Sequence, residues 1–517
     1  MIKLFVSTPK LIVLITFISI LQGCQPEQEQ AKDIDVTELS IAKIHTAYQT
    51  NQYNSQDLVK AYLKRIGQYN HRVNAISVIN QNALEVASKL DKEFAETGKL
   101  RPLHGIPILV KDNINTANLP TTAGSLALAD YIPEQNAFVI QKLVDAGAII
   151  LAKTNMAEWA FSPKHTESST LGITRNAYNQ DYVPAGSSGG TSSAIAANFA
   201  TVGLGTDTGN SIRGPSSHAA LVGLRTTIGL VSRSAIVPLF LRNDVVGPMA
   251  RTTEDAVRVL DVIAGYDEND PITANAEGKI PKSYLSYLVE DGLKGARIGV
   301  LNQLSDNHPD PEISTLFQQS IEDLTTLGAT VINPINIPNF DNLKTNQWCA
   351  EFQHDVEAFL ATYVKNEKMQ TLEDIIAVGS KSEFAKGRLE ANLGISGRYG
   401  APSIECSDAY HDARRIAFRH GVEEVMEQNK LDALIYPTWN NKPALIRRFE
   451  EDYKGDNSQV ISPHTGQPAF TVPMGFTSEN LPAGLQFIGR MYDEPRLIKL
   501  IYAYEQGTLH RKPAELN

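Results

Sequence analysis

Two segments crowded with glycine, serine and threonine constrain the fold of this chain more than any other feature. The first is Pro184-Ala-Gly-Ser-Ser-Gly-Gly-Thr191, and the second is Gly205-Thr-Asp-Thr-Gly-Asn-Ser-Ile-Arg213. Such backbone freedom costs conformational entropy on folding. Function is the usual reason to keep it, because the amide hydrogens of these loops can point at a ligand. Between them, the stretch Thr191–Ala200 is predicted to be a helix.

The remaining chain predicts an α/β framework around these loops. Its 517 residues are 42% apolar and 20% charged, which is typical of a soluble globular enzyme. Short apolar runs at 106–110 and 148–152 are typical of buried strands, and the helical pattern at 135–146 ends at Gly147. Helices that alternate with strands indicate a layered α/β fold. The chain shows no internal repeat, so we expect residues 37–517 to form a single domain.

Two familiar loop motifs do not explain the first segment. Residues 186–190 satisfy G-x-S-x-G, but a nucleophile elbow needs a strand directly before it. The preceding residues 176–183 are polar and rich in turn formers. A phosphate-binding loop would need G-x-x-x-x-G-K-[ST], which the sequence lacks.

The two segments together resemble the amidase signature family. Its pattern is G-S-S-G-G, a helix of small residues, and then G-T-D-T-G-G-S-I-R, preceded by a lysine in a G-x-P-x-x-x-K-D context. That lysine corresponds to Lys111 in Gly105-Ile-Pro-Ile-Leu-Val-Lys111-Asp112. Ser187 and Ser211 lie 24 positions apart, as the family's two catalytic serines do. The resemblance runs from about residue 37 to 510 and implies a large mixed β-sheet core with helices on both faces.

The resemblance also implies a reaction, the hydrolysis of a carboxamide to release ammonia or an amine. Ser211 would attack the carbonyl carbon and form an acyl-enzyme, and Ser187, after a cis peptide bond at Gly186, would relay the proton. Lys111 would be the base. Four backbone N–H groups would form the oxyanion hole, those of Thr208, Gly209, Asn210 and Ser211.

Physical chemistry agrees with these residue types. An amide has a poor leaving group, so it needs an activated nucleophile and a proton for the departing nitrogen. Lys111 must be neutral to accept a proton, although a free lysine has a pKa near ~10.4. Desolvation lowers the pKa of a lysine, and the end of an apolar strand supplies desolvation.

Several neighbours of these residues invite roles of their own. Asp207 and Arg213 are expected to form a structural ion pair, and Ser188 to support its loop by hydrogen bonds. His218 follows Ser211 closely, but we expect a hydrogen-bonded structural histidine rather than a catalytic base.

The sequence also departs from the family at two points. Asn210 replaces the usual glycine, and Gly223-Leu-Arg225-Thr226 replaces the usual G-L-K-P. These departures bear on substrate class more than on catalysis.

The N-terminus has the features of an export signal. An apolar run at 11–21 follows Lys3 and Lys10, and its 11 residues are fewer than the ~20 that span a bilayer. Leu21-Gln-Gly-Cys24 resembles the lipobox of bacterial lipoproteins, in which the cysteine is acylated. A simple cleaved signal or a membrane helix are the alternatives.

We therefore expect a signal peptide at 1–23, lipid on Cys24 and a flexible tether at 24–36. The domain would be anchored in the bacterial cell envelope, at the outer membrane, and would face the periplasm.

Charge and cysteine content limit other partners. A net charge of −11 argues against nucleic-acid binding. The sequence contains neither H-E-x-x-H nor C-x-x-C, so we infer no metal and no cofactor. Cys349 and Cys406 lie 57 positions apart and are expected to be free buried thiols. A disulfide is the alternative in an oxidising compartment.

The substrate is inferred from two further segments. Glu158-Trp159 and residues 351–360 resemble peptide-amidase-like members, which favours a peptide or amino-acid amide. The glutamine-hydrolysing component of a glutamyl-tRNA amidotransferase, which shares the signature, is an alternative, but secretion argues against it. A non-catalytic binding lipoprotein is the other, and the intact set of Lys111, Ser187 and Ser211 argues against that. A homodimer remains open.

Overall fold

The computed structural model describes residues 3–4, 33–349, 351–395 and 406–516. The predicted signal peptide, the lipid-attachment residue Cys24 and the tether up to residue 32 lie outside the described residues and remain predictions. Residues Ile34–Asn517 form one compact unit. None of the helices in the described ranges is long and apolar enough to cross a bilayer.

Thirteen strands are numbered here in chain order. Their bounds are β1 Ile76–Ile79, β2 Pro107–Lys111, β3 Ile149–Thr154, β4 Glu167–Ser168, β5 Gly172–Ile173, β6 Val202–Asp207, β7 Val222–Arg225, β8 Val245–Ala250, β9 Arg297–Leu301, β10 Thr330–Ile335, β11 Ala433–Pro437, β12 Ala469–Phe476 and β13 Pro482–Ile488.

The α-helices are numbered in the same way. Their bounds are α1 Ile41–Gln49, α2 Ser55–Val73, α3 Ala83–Thr97, α4 Phe138–Asp145, α5 Gly189–Ala196, α6 Arg213–Ser217, α7 Thr253–Ile263, α8 Asn302–Ser305, α9 Pro311–Thr326, α10 Phe340–Lys344, α11 Phe352–Phe359, α12 Leu372–Val378, α13 Glu383–Asn392, α14 Ala413–Gln428, α15 Phe449–Asp452, α16 Ser462–Thr465 and α17 Glu494–Thr508.

Eleven strands form one sheet in the order β1-β3-β2-β6-β8-β7-β12-β13-β11-β9-β10. The pairs β3–β2, β2–β6, β11–β9 and β9–β10 are parallel, and the other pairs are antiparallel. Every residue of β2, β3, β6, β7 and β8 is buried. Because successive side chains of a strand point to opposite faces, both faces must be covered there. The predicted mixed sheet flanked by helices is confirmed.

The small residues of the two loops allow α5 to pack directly on the sheet. Gly203 in β6 shows this, because a Cβ at that position would lie 2.5 Å from the Thr191 side chain of α5. Gly190 at the start of α5 lies equally close to backbone, since its Cβ would be 2.1 Å from the Asn155 carbonyl oxygen. A larger residue at either position would push α5, and the loop before it, off the sheet.

The parallel pairing of β2 and β6 brings distant parts of the sequence together. Val110 is in register with Leu204, so Lys111 ends β2 beside the last turn of β6. The carboxyl ends of parallel strands meet at one edge of a sheet, which is where α/β proteins place their ligands. The loop after Asp207 therefore begins next to Lys111.

One prediction about the cysteines is wrong. Cys349 and Cys406 form a disulfide, with their Cα atoms 6.0 Å apart, and are not free thiols. Sequence alone cannot tell a buried free cysteine from a paired one, because pairing depends on how the chain between them folds.

Candidate active site

Lys111 lies at the carboxyl end of β2 and its side chain is fully buried. Its amine donates to Ser187 Oγ at 2.7 Å and to Thr206 Oγ1 at 2.8 Å, with the Thr206 carbonyl oxygen at 3.4 Å. An amine with two or three neutral acceptors and no carboxylate in direct contact has little to hold its charge. The predicted surroundings of Lys111 are therefore present.

Burial lowers the pKa of Lys111 to about 7, while the negative charges of Asp207 and Asp244 act in the opposite direction. Desolvation wins because neither carboxylate touches the amine, and a buried charge without a partner is costly. Near neutral pH the amine is thus divided between its charged and neutral forms. A neutral amine can accept a proton, and a charged one can return it.

Ser187 is presented by a loop that only glycine permits. The Gly186–Ser187 peptide bond is cis, as the resemblance implies. A Cβ on Gly186 would lie 2.4 Å from both the His165 and Ser162 carbonyl oxygens. Ser188 Oγ donates to the Thr206 carbonyl oxygen at 3.1 Å, which ties this loop to β6 in the supporting role expected for it.

Residues 208–211, here called the oxyanion loop, connect β6 to α6. Within the described residues, none of the backbone N–H groups of Thr208, Gly209, Asn210 and Ser211 donates a hydrogen bond to another part of the chain. Buried N–H groups are nearly always paired, so a run of free ones is available to a ligand. A carbonyl oxygen that becomes negatively charged is such a ligand.

Ser211 is 4% exposed at the edge of this loop. Its hydroxyl contacts Asn210 Oδ1 at 3.4 Å. Among the described side chains, no hydrogen bond joins the hydroxyls of Ser187 and Ser211. The structure therefore brings Lys111 and Ser187 into contact and leaves Ser211 turned towards its own neighbour.

Asp207, just before the oxyanion loop, is fully buried between two arginines. Its Oδ2 accepts from Arg213 Nε at 3.1 Å, which is the expected ion pair, and its Oδ1 accepts from an Arg225 amino group at 2.7 Å. The two guanidinium groups hold the pKa of Asp207 well below its usual value despite burial. The backbone N–H of Ile212 also donates to Asp207 Oδ2, at 3.1 Å.

Sequence reasoning missed the partners that position these groups. Thr206 Oγ1 accepts from Asn113 Nδ2 at 3.2 Å as well as from Lys111. Thr208 Oγ1 donates to the buried carboxylate of Asp244 at 2.5 Å. Thr206 and Thr208 belong to the quoted motif, but Asn113 and Asp244 carry no local signal, since only the fold brings them near.

His218 is structural, but the expectation that it is hydrogen-bonded is wrong. Neither ring nitrogen has a hydrogen-bond partner among the residues that the structure describes. The ring instead packs on Trp439, with the ring centroids 4.5 Å apart. Burial lowers the pKa of His218 to about 3, so the ring is neutral. Its place after α6 directs it away from a role as base.

The oxyanion loop faces a cleft of about 570 Å³. Ser211 lies in its lining, and five aromatic side chains and two cations surround it: Phe161, Phe240, Trp348, Phe384, Tyr453, Lys164 and Arg388. Lys164 pairs with Glu450. No group of three or more side chains suited to hold a metal ion occurs in the described ranges.

Comparisons with known proteins agree with this geometry. Residues 57–498 match the Amidase family. The chain is 34% identical over 513 residues to a probable amidase of Arabidopsis thaliana, which covers 95% of this chain and 94% of that protein. It is 31% identical over 490 residues to one subunit of the glutamyl-tRNA(Gln) amidotransferase of Alkaliphilus metalliredigens, covering 91% and 96%.

A solved structure is similar along its whole length. The native peptide amidase from Stenotrophomonas maltophilia superimposes with a TM-score of 0.81 at 35% identity, covering 93% of this chain and 99% of that one. The amidotransferase relative is named as one subunit of a larger enzyme, and nothing in these relatives supports the homodimer left open above. Fold, family match and full-length similarity agree that the chain belongs to the amidase family and is a hydrolase of amide bonds.

Proposed function

We propose that the protein hydrolyses the carboxamide of a peptide or amino-acid amide through an acyl-enzyme on Ser211, and that Ser187 and Lys111 move the proton. The observation that carries the proposal is the 2.7 Å contact between the buried Lys111 amine and Ser187 Oγ, beside the free N–H groups of the oxyanion loop. A base, a relay and an oxyanion site are the three parts that amide cleavage needs.

The proton route begins at the Ser211 hydroxyl. When a substrate carbonyl enters the oxyanion loop, Ser211 Oγ turns from Asn210 towards Ser187 and attacks the carbonyl carbon. Its proton passes to Ser187 Oγ as the Ser187 proton passes to the neutral Lys111 amine. Hydrogen bonds of this kind are often loose without substrate and tighten in the complex, which accounts for the free-state geometry.

The second half of the reaction reverses the route. The charged Lys111 amine returns a proton through Ser187 to the leaving nitrogen, the carbon–nitrogen bond breaks, and ammonia or an amine departs. Water then attacks the acyl-enzyme, losing its proton along the same path, and the carboxylic acid is released. Lys111 ends neutral, as it began, so protons balance over one cycle.

Substrate class follows from the cleft. Its aromatic lining suits an acyl part with apolar side chains, and the peptide amidase of Stenotrophomonas maltophilia supports a peptide amide. Aromatic side chains supply large contact areas and specific edge-to-face geometry for such groups. The Phe161 and Phe352 rings, 4.7 Å apart, brace the wall on which such a chain would rest.

The location of the enzyme belongs to the same proposal. The apolar run at 11–21 and the lipobox-like Leu21-Gln-Gly-Cys24 support export and a lipid anchor in the cell envelope. The Cys349–Cys406 disulfide supports an oxidising compartment such as the periplasm. Several acyl chains on Cys24 would make the anchoring stable, whereas a single chain binds membranes only weakly.

A fluorophosphonate probe tests the nucleophile in the form that lacks residues 1–24. The wild type should be labelled and should release ammonia from peptide amides, and Ser211→Ala should do neither. Ser193→Ala is the matched control, because Ser193 is a buried serine of α5 whose hydroxyl donates to the Arg175 carbonyl oxygen. Absence of both labelling and hydrolysis in the wild type would favour a binding protein, and hydrolysis of glutamine alone would favour an amidotransferase component.

A further inference from the structure

We propose that Arg225 is a positioning residue for amide hydrolysis, whose guanidinium fixes the oxyanion loop against the opposite wall of the cleft. The proposal rests on the proposed function and concerns the residue that replaces the family's usual lysine. Arg225 ends β7 and is completely buried. A buried guanidinium must satisfy its N–H groups, so its partners show what it holds.

One side of the guanidinium holds the oxyanion loop. An Arg225 amino group donates to Asp207 Oδ1 at 2.7 Å and also to the Asp207 carbonyl oxygen. Asp207 directly precedes the loop, and its other carboxylate oxygen accepts from the N–H of Ile212, directly after the loop. Both ends of the oxyanion loop are thus fastened to one carboxylate, and Arg225 fastens that carboxylate to β7.

The other side of the guanidinium holds the cleft wall. The second amino group of Arg225 donates to the Asn243 carbonyl oxygen at 2.7 Å, and Nε donates to Ser462 Oγ at 3.0 Å. Asn243 belongs to the loop 238–244, which supplies Phe240 to the cleft. One planar group therefore sets the distance between the oxyanion loop and the wall that the substrate must contact.

A lysine could not make these contacts together. Arginine has five donors in a rigid plane, whereas a lysine ammonium is a compact charge that cannot reach acceptors on three separate segments. The guanidinium of Arg225 meets β6, the loop 238–244 and the start of α16. The exchange of lysine for arginine thus adds a connection rather than conserving one.

Arg225 also contributes to the electrostatics around the base. The carboxylates of Asp207 and Asp244 favour the charged form of Lys111, and the guanidinium groups of Arg213 and Arg225 offset Asp207. Loss of one guanidinium would strengthen the effect of Asp207 on Lys111. Buried charged groups occur on every element around this amine: Asp112, Lys153, Asp207, Arg213, Arg225 and Asp244.

Two substitutions separate geometry from charge. Arg225→Lys keeps the charge and loses the connections, so kcat should fall by about tenfold or more and KM should rise, with the pH profile of kcat/KM in place. Arg225→Gln loses the charge, so the acidic limb of that profile should also move to higher pH, by about half a unit or more. A purely structural role would move neither limb of the profile.

Arg251→Lys is the matched control. Arg251 is also a buried arginine, and it donates to the carbonyl oxygens of Ile195, Ala200 and Leu39, away from the cleft. This variant should melt at lower temperature yet keep kcat and KM within about twofold of the wild type.

The outcomes are distinguishable from those of the proposed function. If the wild type hydrolyses amides and Ser211→Ala does not, but Arg225→Lys has wild-type kcat, KM and fluorophosphonate labelling rate, only the Arg225 proposal is overturned. The same holds if Arg225→Lys and Arg251→Lys lose activity equally. If Arg225→Gln does not fold, Arg225→Lys alone decides. A wild type that neither hydrolyses amides nor is labelled overturns both proposals.

Discussion

The amine of Lys111 lies 2.7 Å from the hydroxyl of Ser187, although 76 positions separate the two residues in the chain. The sheet makes this contact, since β2 carries Lys111 to the edge where β6 ends and α5 begins. Complete burial leaves the amine with neutral oxygen acceptors. A lysine in these surroundings is suited to exchange protons with a hydroxyl rather than to pair with an anion.

Activity should depend on pH in the direction set by Lys111. Burial lowers the pKa of Lys111 to about 7, and only the neutral amine can accept the Ser187 proton. The ratio kcat/KM should therefore rise with pH through about 7 and reach a plateau above it. A profile that is flat from pH 5 to 9, or that falls as the amine loses its proton, would contradict a neutral base.

Asn210 should affect substrate binding more than chemistry. Asn210→Gly restores the residue usual in the family and keeps the backbone N–H, so kcat should stay within about tenfold of the wild type. The fluorophosphonate labelling rate should rise, because the Ser211 hydroxyl loses its contact with Asn210 Oδ1. Asn210→Ala controls for the added backbone freedom of glycine. A loss of kcat beyond about a hundredfold in both variants would place the Asn210 side chain in the reaction.

The disulfide should stabilise both the fold and the cleft wall. Replacing Cys349 and Cys406 together with serine should lower the free energy of unfolding by about 2–4 kcal/mol. KM should rise more than kcat falls, because Trp348 precedes Cys349 and lines the cleft. The form without residues 1–24 contains no other cysteine. Thiol titration of that protein, unfolded without reductant, should find no free thiol, and two free thiols would contradict the pairing.

Local patterns were enough to predict much of the framework. The apolar run before Lys111 became β2, and the polar Asn54 caps α2 with a reciprocal hydrogen-bond pair. Helix α5 begins at Gly189, two residues earlier than the composition indicated. These elements follow from short-range propensity and periodicity, which a single sequence displays.

The contacts that complete the site could not be predicted in the same way. Asn113, Asp244 and Arg225 reach it only because strands far apart in sequence pair in one sheet. The pairing of Cys349 with Cys406 and the unpartnered ring of His218 are likewise products of tertiary packing. The family resemblance supplied the three reacting residues, but the groups that hold them required the fold.

The most direct test of the account is the rate of peptide-amide hydrolysis by Lys111→Ala in the form without residues 1–24, with Lys111→Met as a variant that fills the buried site. We expect both to lose at least about 10²–10⁴-fold in kcat, the range for removal of a general base, while their circular dichroism stays that of the wild type. Folded variants with near-normal turnover would contradict a proton route from Ser211 through Ser187 to Lys111.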